Sequence, residues 1–144
     1  MIRDTIYKIL AEDTSLTALL AEKPDEMGGG PAIYEKWAAP GTDMPYINLT
    51  YSFEPSEGLF KRKGTLDVDV FVRGNDSVQI ERIANQIVLL LDICHPTDPD
   101  DGPIRVYLNS EDDIPEDDET VIHWNLNFDL FTWRARFIAE FTRR

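Results

Sequence analysis

Thr65-Leu66-Asp67-Val68-Asp69-Val70-Phe71-Val72, continued by Arg73-Gly74-Asn75-Asp76 and then Ser77 to Leu91, is the stretch on which the fold turns. Leu66, Val68, Val70 and Val72 fall on one side of an extended chain, and Thr65, Asp67, Asp69 and Phe71 on the other. Strict alternation with β-branched residues marks a half-buried strand. Arg73 to Asp76 has turn chemistry, because Gly and Asn tolerate positive φ. Asp76 or Ser77 can cap a following helix by accepting from its free N–H groups. Val78, Ile80, Ile83, Ala84, Ile87, Val88, Leu90 and Leu91 then recur at mostly three- and four-residue spacing. That apolar stripe is broad enough to lie across a sheet. The rest of the chain must pack on this strand–helix unit.

Working outward, Arg3 to Ala11 reads as a helix with Ile2, Ile6, Ile9 and Leu10 on one side. Leu16 to Leu20 is a second short helical turn. Pro24 to Pro31, with Gly28-Gly29-Gly30, is a loop, and Ile33-Tyr34 is a candidate short strand. Tyr46 to Ser52 alternates again and forms an antiparallel hairpin with the central strand. On the C-terminal side, 95–103 reads as a turn-rich acidic loop, Ile104 to Leu108 as a strand, and 110–120 as a carboxylate-rich loop. Val121 to Leu130 is the last clear strand. At Phe131 the apolar parity changes, since Phe131, Trp133, Ala135 and Phe137 share a phase. A β-bulge accounts for it, with a turn into a final helix, Phe137, Ile138 and Phe141 inward, as the alternative. The expected fold is α+β: a mostly antiparallel sheet of about four strands, a long amphipathic helix on one face, and an N-terminal helix pair. Residues 1–144 are expected to form a single domain.

The formal net charge is −13. A surface this acidic argues against general binding to nucleic-acid phosphates and against docking on anionic membranes. The one cysteine, Cys94, rules out an intrachain disulfide. No signal peptide and no bilayer-length apolar run is expected. Little here points to catalysis. Cys94 ends an apolar helix, where cysteine behaves as a small hydrophobe, and its neighbour His95 is poorly placed to activate it. His123 reads as an exposed or hydrogen-bonded side chain. Asp98-Pro99-Asp100-Asp101-Gly102 fails as a calcium loop, with its Gly one place early and Asn109 at the twelfth position. Cys94, His95 and His123 do not make a zinc set. The glycine run lacks the Lys and Ser/Thr of a phosphate loop. No catalytic residue, cofactor or metal is expected.

Three pieces, in this order and spacing, carry a resemblance: Leu16-Thr17-Ala18-Leu19-Leu20, Pro45-Tyr46-Ile47-Asn48-Leu49, and Gly64 to Val72 ahead of its helix. Over residues 1 to 93 the chain resembles the tail completion (tail terminator, minor tail) proteins of bacteriophages and prophages. The acidic part after His95 is longer than that family's pattern. The resemblance implies a non-enzymatic ring, usually a hexamer, that caps the tail tube and stops its growth. It further implies a head–tail joining surface, with the major tail-tube protein and head–tail connector proteins as partners. The place implied is the virion tail, assembled in host cytoplasm, where DNA passes without specific binding. A head–tail connector or other minor tail component is the alternative. An acidic DNA mimic ranks lower, since the carboxylates read as clustered in loops.

Two surfaces follow as expectations. The hairpin tip with Leu59, Phe60, Lys61, Arg62 and Lys63, together with Arg143 and Arg144, is expected at a subunit interface. Basic and acidic patches on one chain suit a head-to-tail contact. Asp112, Asp113, Glu116, Asp117 and Asp118 are expected to include residues facing a ring lumen.

Overall fold

The computed structural model describes residues 1–36, 38, 41–54, 61–74, 77–99 and 102–133. Three helices, α1 (Ile2–Ala11), α2 (Thr14–Thr17) and α3 (Ser77–Leu91), cover one face of a six-stranded sheet. Its strands are β1 (Ile33–Glu35), β2 (Tyr46–Phe53), β3 (Lys61–Arg73), β4 (Thr97–Asp98), β5 (Gly102–Ile114) and β6 (Val121–Trp133). Their order across the sheet is β1-β2-β3-β6-β5-β4.

The expectation of about four antiparallel strands under a long helix is corrected. The described fold is mostly sheet, a mixed six-stranded one that curls into a half-barrel, with three short helices. β1 lies parallel to β2, with Ile33 beside Ile47, which makes the sheet mixed. β1 has three residues and β4 two, too few to show a period. Only α3, of 15 residues, exceeds three turns. Ser77 is its first helical residue rather than its cap, and Asp76 lies outside the described residues.

The sheet is built on β3, which pairs along β2 on one side and along all of β6 on the other. Leu66, Val68, Val70 and Val72 point to the helices and are at most 1% exposed. Their neighbours on that face are Ile47, Leu49, Leu126, Phe128, Leu130, Ile104 and Val106. Against them lie Ile80, Ile83, Ala84, Ile87 and Leu91 of α3, and Ile2, Ile6 and Leu10 of α1. Removal of this continuous apolar surface from water is the main stabilising term. Asp13 ties two helices together. Its carboxylate accepts from Leu16 N–H at 2.8 Å, capping α2, and from Gln86 Nε2 of α3 at 2.9 Å. Gly64 faces Phe53 across the β2–β3 pair. A Cβ there would come 2.5 Å from the Phe53 ring, so only glycine admits the ring.

Two further expectations change in the C-terminal half. β5 does not stop at Leu108 but runs to Ile114, so Glu111, Asp112 and Asp113 are strand residues. The register shift lies here, between Leu108 and Ser110. It moves the alternation by one at Asn109, which hides the strand in the sequence. Phe131 brings no bulge, and the alternative of a final helix falls on residues outside the described ones. β6 stays in register with β3 through Trp133, and Thr132, 2% exposed, keeps the inward phase of Leu130. Residues 134–144 lie outside the described residues.

Candidate functional site

The face of the sheet turned away from the helices carries the polar residues. The β3–β6 register sets Asp67 opposite Asn127, Asp69 opposite Asn125, and Phe71 opposite His123. Asn125 Nδ2 donates to Asp69 Oδ1 at 3.0 Å and to Asp67 Oδ1 at 3.3 Å. Asn127 Nδ2 donates to Asp67 Oδ1 at 2.9 Å. Asn109 of β5 extends the row, donating to Asn127 Oδ1 at 3.0 Å. Carboxylates on one strand are thus matched by amide donors on the next.

His123 ends this row. Its Nε2 lies 2.7 Å from Asp69 Oδ1, and its Nδ1 lies 2.7 Å from Glu116 Oε1. The ring stacks on Phe71 with centroids 4.1 Å apart, and Phe71 stacks on Tyr46 at 4.8 Å. Tyr34 meets Tyr46 edge-on at 5.9 Å. Four strands therefore contribute to one aromatic row. Burial of the His123 ring opposes its charge. The hydrogen bonds and negative charges of Asp69 and Glu116 outweigh that and hold its pKa above the ordinary value of 6.5.

Glu116 belongs to the turn 115–120 between β5 and β6. Its far end is fixed separately. Arg73 Nη1 donates to Thr120 Oγ1 at 3.0 Å and lies 3.6 Å from Asp118 Oδ2. Thr120 donates from its hydroxyl to Asp118 Oδ1 at 2.6 Å and from its N–H at 2.9 Å. Those bonds from Thr120, with Arg73 nearby, hold the exposed Asp118 carboxyl below its usual range. Gly74, at φ +100°, donates its N–H to the Thr120 carbonyl.

The expected lumen carboxylates are therefore divided. Asp112 stands opposite Asn125 on the open face, whereas Asp113 stands opposite Trp124, one residue out of that phase. Glu116 is engaged by His123 of β6, Asp118 by Thr120 within the turn, and Asp117 is exposed. The expected basic tip is divided too. Arg62 shares its face with Gly64 and lays its guanidinium 3.9 Å over the Phe53 ring, while Lys63 faces the other way, opposite Phe131. Lys61 begins β3. Leu59, Phe60, Arg143 and Arg144 lie outside the described residues.

The remaining chemistry-bearing residues are accounted for structurally. Burial and the neighbouring Asp92 push the Cys94 thiol up to about 11, which keeps it protonated. His95 Nδ1 is turned to the Ile93 carbonyl at 2.8 Å. Asp98 is 2% exposed and accepts from Thr5 Oγ1 at 2.6 Å, joining β4 to α1. Among the described residues, no group of three or more His, Cys, Asp or Glu is arranged to hold a metal. No described helix is long and apolar enough to cross a membrane.

The His123 row was missed in the sequence because it joins residues 54 to 60 positions apart. The one available signal was complementary alternation: Asp67 and Asp69 on one strand, His123, Asn125 and Asn127 on another.

No family model and no curated protein matches the sequence. Among solved structures, the fold is similar to that of a chain in the virion of a native gene transfer agent particle. The TM-score is 0.68 and the identity 12%, covering 89% of this chain and 91% of that one. A second solved chain matches with a TM-score of 0.57 at 12% identity, covering 91% and 92%. At this identity the likeness is one of fold.

Proposed function

We propose that this chain is a structural component of a phage-like virion, and that it forms a ring capping the tail tube. In that role it ends tube polymerisation and offers the surface to which the head joins. The observation that carries the reading is the fold shared with a chain of the gene transfer agent virion over about nine-tenths of both chains. The sequence resemblance to tail-terminator proteins supplies the finer role.

The charge layout supports association between copies. Arg62 and Lys63 lie at one end of β3, and the turn with Glu116, Asp117, Asp118 and Glu119 lies beyond the other end, beside Arg73. At roughly 3.3 Å per residue the two ends are about 40 Å apart. Opposite charges at opposite ends of one sheet suit a head-to-tail contact, which closes into a ring. Lys63 is the better candidate contact, because Arg62 is already stacked on Phe53. The proposed ring binds the major tail-tube protein on one side and connector proteins on the other. The chain has no catalytic role in this reading.

The test is co-purification. A terminator is recovered with tail-tube protein, and Lys63→Glu weakens self-association while the subunit stays folded. Recovery with portal-proximal head proteins alone would move the chain to the alternative role of head–tail connector. Recovery with neither would overturn both.

A further inference from the structure

His123 is held by two carboxylates from different parts of the chain. Asp69 projects from β3, in the middle of the sheet, and Glu116 from the turn 115–120. Each ring nitrogen is 2.7 Å from a carboxylate oxygen. A carboxylate without its proton only accepts hydrogen bonds. Both contacts are therefore satisfied at once only when both ring nitrogens carry hydrogen, which is the imidazolium. Neutral imidazole has one donor nitrogen and must turn a lone pair toward the other carboxylate.

We propose that His123 is a proton-operated latch: as imidazolium it holds the turn 115–120 onto the sheet, and on losing its proton it frees the Glu116 end of that turn.

The two ends of the turn are fastened differently, which is what makes one of them releasable. The far end is held by Arg73, whose charge does not change in the accessible pH range, and by the Thr120 bonds. The near end has the His123–Glu116 contact, with Ile114 as the β5 partner of His123. Glu116 is about one-third exposed, so water replaces the lost bond readily, whereas Asp69 sits deeper. On deprotonation the imidazole keeps a single donor. Asp69 retains it, because the Phe71 stack and the strand fix the ring beside Asp69.

Asp69 and Glu116 act on the ring directly, and further charged and titratable groups lie beyond them. Asp69 faces it from β3 and Glu116 from the turn, while Asp67 lies further along β3, opposite Asn127. Asp112 and Asp113 precede Ile114 on β5, opposite Asn125 and Trp124, and Tyr46 of β2 lies behind Phe71. Arg73 lies at the far end of the turn, paired with Asp118. This surround is mainly negative and favours the protonated ring, in agreement with its raised pKa. Closed, the imidazolium offsets one of the two negative charges of Asp69 and Glu116. Open, it leaves a mobile and more acidic turn next to Asp117 and Glu119.

The test is an NMR titration of the full chain, following the rings of His95 and His123 together with the backbone amides of residues 116–119. His123 is expected to titrate above 6.5, with the amides moving at the same midpoint. Glu116→Gln is expected to lower the His123 midpoint and uncouple the amides. In His123→Gln the amides should stay still through that range. Should His123→Gln fail to fold, Glu116→Gln, a change in a partly exposed turn, carries the same test. A His123 midpoint at or below 6.5, or amides that ignore the ring, would overturn the proposal.

Discussion

The two faces of the β3–β6 pair are made from alternate residues of the same strands, yet they are held by different physics. Toward the helices, Leu66, Val68, Val70, Leu126, Phe128 and Leu130 are fully buried. Away from them, Asp67, Asp69, His123, Asn125 and Asn127 form one hydrogen-bonded row. Apolar contact is non-directional, so the inner face tolerates small shifts. A one-residue slip would turn both faces over and is already forbidden by burial of the inner one, whereas a two-residue slip keeps the faces and is opposed by the partner-specific bonds of the outer row. The inner face supplies stability and fixes which side is buried, and the outer face adds partner-by-partner register and places the acidic turn.

Removing Phe128 strikes the inner face hardest. Its ring is fully buried among both sheet neighbours and helix side chains, so Phe128→Ala is expected to cost about 3–5 kcal/mol, seen as a lowered urea midpoint. Gly64→Val tests the same face from the opposite direction. It adds bulk where the Phe53 ring already lies, and about 1–3 kcal/mol is expected. Asp69→Ala breaks the outer row, leaving His123 Nε2 and Asn125 Nδ2 without that acceptor. Its cost is expected near the lower end of about 1–3 kcal/mol, because the Asp69 side chain is 21% exposed and water can substitute in part.

The smallest expected effect is a pH dependence. His123 binds its proton more tightly in the folded chain than in the unfolded one. Its contribution to stability is therefore complete below about pH 6.5 and is lost as pH rises through the raised value. Urea midpoints of the wild type and His123→Gln, compared across that window, should differ at the acid end and converge at the alkaline end. A difference that grows with pH would reverse the assignment.

The contrast also explains what could be read in advance. The alternation of Leu66 to Val72, and of Trp124 to Leu130, declares two strands and their buried face, because burial selects residue type position by position. The Ile80 to Leu91 stripe declares α3 for the same reason. β1 is the strand expected at Ile33-Tyr34, whereas β4 is added by edge pairing and is too short to carry a period. The second half of β5 has neither face covered beyond Leu108 and so keeps Glu111, Asp112 and Asp113, which read as loop. It is a strand because β6 continues past it and offers the hydrogen bonds. The divided basic tip has the same origin. Arg62 and Lys63 are neighbours in sequence, but the pleat of β3 sends them to opposite faces.

The mass of the particle in solution distinguishes the proposed ring-forming virion component from a subunit that stays alone. Light scattering at high concentration, with negative-stain images of the same sample taken with and without tail-tube protein, reads it. Closed rings of about six copies, the number the tail-terminator resemblance implies, are expected free or seated on tube ends. A chain that stays monomeric in both samples and leaves the tube ends bare would contradict the proposed ring.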